Sequence, residues 1–130
     1  MNVRKPIDYS AMFAALDTLM AAELSQMAEL PQMAELPQMK LYCEIGRLVS
    51  GRPEKGAAVA AAEYLYGMYP DASGFSPRNL RRMREFFRTY ESSPEVLDQA
   101  MTIGWTQNIS LISALLSSYA FLYLIYRNTV

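Results

Sequence analysis

A cluster of arginines on one predicted helix is the feature of this chain best suited to recognition chemistry. Within eleven residues, the sequence places five arginines and a single acidic residue, Glu85. The five are Arg78, Arg81, Arg82, Arg84 and Arg88. At about 100° per residue they fall on one side of the helix, and the apolar residues fall on the other. Arginine forks bind phosphate and the guanine edge, and an α-helix fits the DNA major groove, so the pattern predicts contact with nucleic acid.

The same basic side has a second interpretation, in which it is a solvated helix face without a binding function. Its predicted pairing partners are Glu63, Asp71, Glu85 and Glu91. Both interpretations fit a helix with one charged side, and the use of arginine without lysine favours recognition. The formal net charge of −1 means that the chain as a whole is not a polycation. Attraction to nucleic acid therefore depends on this local cluster.

The composition argues against catalysis. The chain has no histidine, which removes Ser-His-Asp and Cys-His nucleophilic catalysis and histidine metal sites. It has no glycine-rich phosphate loop, and Pro70-Asp71 is not followed by the (D/E)-x-K of metal-dependent nucleases. The one cysteine, Cys43, lies in an apolar run and is predicted to be buried and unreactive. We therefore expect no catalytic residue, no metal site and no cofactor.

Apolar spacing and capping signals predict an all-α fold. The predicted helices are Ile7–Met27, Lys40–Ser50, Gly56–Tyr69, Pro77–Tyr90, Pro94–Met101 and Thr106–Tyr126. The predicted N-caps are Ser10, Ser76, Ser93 and Thr106. The third helix, a turn of about seven residues and the capped fourth helix have helix-turn-helix order, although that motif usually has a turn of 3–4 residues. We therefore expect a small helical bundle with a helix-turn-helix-like core.

Two local features qualify this helix pattern. Three near-identical hexapeptides begin at Ala22, Ala28 and Ala34. Their period does not match a helical repeat, and Pro31 and Pro37 oppose an unbroken helix, so we interpret the segment as a kinked or variable spacer. A ligand-binding repeat is the alternative, but solenoids use longer units. In the second helix, Gly46 indicates either a close helix–helix approach or a tolerated glycine.

Three segments in order resemble the N-terminal domain of the YhcG family. Leu41–Arg47 resembles its LYxEIG opening, and Gly74–Phe86 resembles its GFSxRNLxxMRxF motif. Trp105–Asn108 is similar to its W-[ST]-x-N segment. Relatives are bacterial proteins in which this helical domain precedes a PD-(D/E)XK nuclease domain. The resemblance implies a DNA-binding role for the helical domain and phosphodiester cleavage for the nuclease domain. The nuclease activity is not carried over to this chain.

The resemblance also indicates which residues contact DNA and how the chain is divided into segments. It implies DNA contacts by Ser76, Arg78, Asn79, Arg81 and Arg82, and the helix pattern adds Arg88. Residues 1–40 are predicted to be an N-terminal helix and spacer, residues 41–108 the YhcG-like domain, and residues 109–130 an apolar C-terminal helix or divergent tail. The chain departs from the family pattern at Lys55-Gly56, where many relatives have Trp-Gly, and over Ile109–Tyr126, which has no charged residue.

That uncharged tail has three interpretations: a buried last helix, a membrane-spanning segment, or the end of a truncated or frame-shifted remnant. Serines and tyrosines within it favour the buried helix over a membrane span. The region Met1–Ser10 has no pattern of a secretory signal, so a cytoplasmic location without membrane association is expected.

The sequence thus predicts a non-catalytic module that binds or targets double-stranded DNA. The alternative is a protein-interaction module that docks a separate nuclease domain or associates with a second copy of itself. A truncated remnant without function is the third possibility.

Overall fold

The protein is described by a computed structural model, which covers residues 6–29 and 35–114. Within these ranges it is a bundle of α-helices without a β-strand. The helices are α1 (Ser10–Glu29), α2 (Glu35–Ser50), α3 (Ala57–Met68), α4 (Pro77–Tyr90), α5 (Pro94–Ala100) and α6, which covers residues 105–114. The predicted all-α fold class is confirmed. The third and fourth helices begin and end within one residue of their predicted bounds.

α4 is central to the bundle. It packs against α2, α3 and α5, while α1 packs against α2 and α3. Leu80, Met83 and Phe86 of α4 are fully buried in these contacts. Their spacing of three residues brings them to one side of the helix, which explains the shared burial. Arg78, Arg81 and Arg88 lie exposed on the opposite side of the same helix.

α2 and α4 approach each other closely where α2 has a glycine. A Cβ atom at Gly46 would overlap the Met83 carbonyl oxygen and lie 2.7 Å from the carbonyl carbon. About one turn further along both helices, the Arg88 Nε–H donates to the Ser50 hydroxyl at 3.0 Å. These two contacts hold α2 directly against α4 over this stretch. Of the two interpretations of Gly46, the close approach is confirmed.

Two apolar clusters make up the core. The larger one joins the first four helices. The smaller one consists of Met39, Cys43, Phe86, Tyr90, Ala100 and Ile112. Trp105 packs against both clusters, so the start of α6 links the two halves of the core. Burial raises the pKa of the Cys43 thiol to about 11, which keeps it protonated near neutral pH, and the prediction of a buried thiol is confirmed.

α1 is attached to α3 by polar as well as apolar contacts. The Asp17 carboxylate accepts hydrogen bonds from the Tyr64 hydroxyl at 2.6 Å and from the Tyr69 hydroxyl at 2.9 Å. The bond to Asp17, together with burial, raises the pKa of Tyr64 to about 12. Burial and the bond to Asp17 also raise the pKa of Tyr69. Because Phe13 stacks on Tyr64 with ring centroids 4.2 Å apart, α1 is fixed on α3 by both kinds of contact.

Two of the predicted N-caps, Ser10 and Thr106, lie within their helices instead of preceding them. Ser10 is the first residue of α1, and its N–H and hydroxyl both donate to the Asp8 carboxylate. These bonds lower the pKa of Asp8, the hydroxyl bond having the largest effect. Ser93 is the N-cap residue of α5, as predicted, and its carbonyl accepts the Leu97 N–H, but its side chain makes no cap hydrogen bond. Thr106 lies inside α6, since that helix begins one residue earlier.

The described parts of the hexapeptide repeat are helical and belong to α1 and α2. α1 continues to Glu29, and α2 begins at Glu35 instead of Lys40. Pro37 is the third residue of α2. The N–H groups of a first helical turn have no partner within the helix, so a proline is tolerated there. Pro31 lies outside the described residues.

The described part of α6 ends at residue 114. Ile112 is buried in the smaller apolar cluster, so the start of the apolar tail packs on the bundle. The predicted continuation to Tyr126 lies outside the described residues. Across the two described ranges, no helix has both the length and the apolar character needed to cross a membrane.

The Gly46 contact leads to a stability prediction. Gly46→Ala should lower the free energy of unfolding by about 1–3 kcal/mol, because the added methyl group forces α2 away from the Met83 carbonyl. Urea unfolding followed by Trp105 fluorescence measures the change. Gly67→Ala is the matched control, because a Cβ at Gly67 meets nothing within 4 Å. The control should be neutral or stabilising by up to about 1 kcal/mol, since alanine favours a helix. Equal stability of the two variants would contradict the close contact.

Candidate functional site

The start of α4 is held by its own residues. The Ser76 hydroxyl accepts the Asn79 N–H at 3.1 Å, and the Ser76 carbonyl accepts the Leu80 N–H at 2.9 Å. Pro77 occupies the first helical position, where its fixed φ suits the helix. The N-cap predicted at Ser76 is therefore confirmed. The exposed Ser76 hydroxyl still carries a proton that it can donate outward.

Asn79 has an architectural role in this structure. Its Nδ2 donates to the Gly74 carbonyl at 2.6 Å, and its Oδ1 accepts the Trp105 indole N–H at 2.9 Å. One side chain thus joins the α3–α4 loop, α4 and α6. Of the residues that the resemblance implies as DNA contacts, Asn79 is half-buried and already engaged on both ends of its amide.

The three segments that carry the resemblance meet around Trp105. The Trp105 ring contacts Tyr42 edge-on at a centroid distance of 5.0 Å and Phe86 at 5.7 Å. Gly74 has a φ of +91°, and a Cβ there would overlap the Tyr42 hydroxyl. Tyr42 comes from the first segment, Gly74 and Phe86 from the second and Trp105 from the third. These residues therefore build the bundle, and the arginines remain as the candidates for chemistry.

Asn108 completes this junction. Its side chain is fully buried, and its Nδ2 donates to the carbonyls of Ala100 at 2.9 Å and Gly104 at 3.1 Å. The two bonds hold the turn between α5 and α6, which sets the direction in which α6 leaves the bundle. The sequence predicted a DNA contact for Asn79 and no role for Asn108, and it did not predict the structural role of either amide. Their partners lie on other helices or on backbone carbonyls, which helical periodicity does not predict.

The arginines of α4 differ in exposure. Arg78, Arg81 and Arg88 are exposed, while Arg82 and Arg84 are half-buried. Arg82 lines a cleft of about 140 Å³ between α4 and α6. The Nε–H of Arg88 is the donor to Ser50, which orients its guanidinium group. The structure therefore presents four of these five side chains along the outer side of α4 and turns Arg82 toward α6.

None of the five arginines forms an ion pair with a carboxylate among the described residues. The ion pairs found there are Arg47 with Glu44 at 2.8 Å and Arg52 with Glu54 at 2.9 Å. The carboxylates considered as partners were Glu63, Asp71, Glu85 and Glu91, and none lies within 4.0 Å of an α4 guanidinium nitrogen. The basic side of α4 therefore keeps its positive charge without pairing inside the described bundle.

Three arginines are close enough to influence one another. Burial lowers the pKa of Arg84, and repulsion from Arg88 and Arg81 lowers it further, against an opposing effect of Glu85. The spacing of three and four residues places the three guanidinium groups in a row on one side of α4. We call Arg81, Arg84 and Arg88 the arginine row. Arg84 was assigned to the basic side from sequence but was not among the predicted contacts.

The described residues contain no group of three or more carboxylate or thiol side chains that could hold a metal ion. The arginine row on α4 supplies positive charge and N–H donors that can bind an extended anion through charge-assisted hydrogen bonds.

The Asn79 junction leads to a second stability prediction. Asn79→Ala should lower the free energy of unfolding by about 1–3 kcal/mol, because it leaves the Trp105 N–H and the Gly74 carbonyl without their partner. Thermal or urea unfolding measures the loss, and a changed Trp105 emission spectrum should accompany it. Gln107→Ala in α6 is the matched control, since this amide is exposed. If both alanine variants unfold alike, the amide of Asn79 does not hold the junction.

Comparison with known proteins gives one match. The chain matches the DUF1016 N-terminal domain over residues 29–127, which is more than half of its length. No curated protein and no solved structure gives a significant match. The matched range includes α2 to α6 and all three motif segments, and it extends beyond the resemblance seen in the sequence at both ends. The chain therefore belongs to the DUF1016 N-terminal domain family.

Proposed function

We propose that this domain is a non-catalytic module that binds double-stranded DNA through the outer side of α4. The arginine row is the observation that carries the proposal. Three guanidinium groups in a row repel one another, and no described carboxylate pairs with them. A bound polyanion removes this repulsion and replaces it with charge-assisted hydrogen bonds.

The dimensions of α4 suit a duplex. From Arg78 to Arg88 the helix rises about 15 Å, at about 1.5 Å per residue. The major groove is about 12 Å wide, so a helix lying in or across it can reach phosphates on both sides. The apolar side of α4 is packed in the bundle, which leaves the arginine side as the one available to DNA.

The order of α3, a loop and α4 is compatible with a helix-turn-helix, but the connection is long. It covers residues 69–76, whereas the usual turn has 3–4 residues. Our proposal therefore depends on α4 alone and does not require α3 to cross the DNA backbone. Asn79 enters it as a positioning residue, and Arg84 joins the predicted contacts Arg78, Arg81 and Arg88.

A protein-docking function is the second candidate. Apolar side chains are exposed on both α5 and α6, where Val96 is 47% and Leu111 48% exposed. Exposed apolar side chains of this kind are candidates for contact with a partner protein. A separate nuclease domain or a second copy of this chain is the partner that we propose for this function.

DNA binding is tested through the arginine row. If three or four phosphates are neutralised, log K against log salt should have a slope of roughly −3 to −4. The double variant Arg81→Ala and Arg88→Ala should lose most binding and flatten the slope by about two. Fluorescence anisotropy with a labelled duplex measures both quantities.

The control removes the same charge elsewhere on the surface. Arg47→Ala with Lys55→Ala should retain duplex affinity, because neither residue belongs to α4 and both are exposed. If the two double variants bind duplex equally, net charge rather than the arginine row governs binding and the proposal fails. If the wild-type domain does not bind duplex at moderate salt, the protein-docking function replaces the DNA-binding function as our proposal.

The non-catalytic part of the proposal has its own test. The purified chain should leave supercoiled and linear DNA intact with Mg²⁺ or Mn²⁺, because nuclease chemistry of this kind needs acidic groups and a lysine around a metal. Gel analysis over a time course measures cleavage. Cleavage that follows the protein peak through a second purification step would show that the domain is an enzyme.

A further inference from the structure

A surface groove of about 450 Å³ lies beside the beginning of α4. Glu63 and Tyr66 of α3 line one wall, and the loop residues Phe75 and Ser76 line the other with Pro77. Apart from the Glu63 carboxylate and the hydroxyls of Ser73 and Ser76, the side chains that line the groove are apolar or aromatic. The groove therefore suits a flat, largely apolar group better than an ion.

Tyr66 is the most exposed of the large apolar side chains in the described residues, at 73%. The other tyrosines near it are engaged, since Tyr64 and Tyr69 both donate to Asp17. Tyr66 has no hydrogen bond and no aromatic partner among the described residues. An open ring of this kind offers a stacking surface to a ligand.

The charges around the groove favour a neutral ring inside it and an anion beside it, along α4. Glu63 repels an anion from the groove itself. The start of α4 offers little to offset this repulsion, because Pro77 has no N–H and the Asn79 N–H is taken by the Ser76 hydroxyl, which leaves the Arg78 N–H alone among the first three residues. Positive charge begins at Arg78, which directly follows the groove residue Pro77. It continues at Arg81, which lies about 6 Å from Pro77 along the helix axis.

We propose that this groove holds an unpaired nucleobase, which stacks on Tyr66 while the neighbouring phosphates lie on Arg78 and Arg81. The occupant must combine negative charge with an aromatic ring, and a nucleotide does so. An uninterrupted duplex hides the faces of its bases, whereas a single-stranded end or junction exposes them. The Glu63 carboxylate can accept a hydrogen bond from the exocyclic amine of cytosine or adenine. This inference rests on the proposed DNA-binding function and narrows its target to DNA with unpaired nucleotides.

The test compares a blunt duplex with the same duplex carrying a short single-stranded overhang, at one salt concentration. The full chain should bind the overhang DNA more tightly. Tyr66→Ala should weaken overhang binding by about five- to hundredfold, the usual range for loss of one stacked base, and leave blunt-duplex affinity unchanged. Tyr66→Trp should retain the preference, because it keeps an aromatic face. Met68→Ala is the control, since Met68 is another exposed apolar residue of α3.

The outcomes separate this inference from the proposed function. If blunt and overhang DNA bind equally and both depend on the arginine row, the base-binding groove is wrong and the duplex function stands. If the overhang is preferred but Tyr66→Ala keeps that preference, the groove is also wrong. If neither DNA binds, both proposals fail. Because Tyr66 is exposed, wild type and Tyr66→Ala should have equal melting temperatures. Equal values will exclude misfolding as the cause of lost binding.

Discussion

The close approach of α2 and α4 at Gly46 is the constraint on which the rest of the bundle depends. No side chain separates the two backbones there, since even a methyl group would overlap the Met83 carbonyl. This contact sets how far the buried side of α4 enters the core and therefore which side remains outside. A helix with five arginines is a surface feature only if its apolar side has a closely fitting partner, and α2 is that partner.

Trp105 and Asn79 extend this constraint to the other end of the chain. The indole packs on Tyr42 of α2 and Phe86 of α4, and its N–H bonds to Asn79 at the start of α4. Three distant segments are thereby held at one point. Asn79 and Trp105, which belong to the motif segments of the sequence, thus serve to position α4 in this structure.

The sequence predicts the helices well where periodicity and capping agree. Ser76 and Pro77 fixed the start of α4 to the residue, because a cap and an N-terminal proline are local signals. The start of α2 was predicted too late, since Pro37 was taken as a helix breaker when it lies in a first turn. The spacing of the arginines alone predicted that they lie on one side of α4. The lowered pKa of Arg84, the bonds of Asn79 and the groove at Tyr66 depend on contacts between helices, which no local pattern contains.

The attachment of α1 has a consequence for how this domain is delimited. Nearly all of α1 precedes residue 29, where the family match begins. Yet Met12, Leu16 and Met20 are buried in the same cluster as residues of α2, α3 and α4, and Asp17 holds two tyrosines at the C-terminal end of α3. The boundary drawn by sequence similarity thus passes through a hydrophobic core. The matched range is therefore smaller than the packed unit of this chain, and a fragment trimmed to residue 29 would leave an apolar face uncovered.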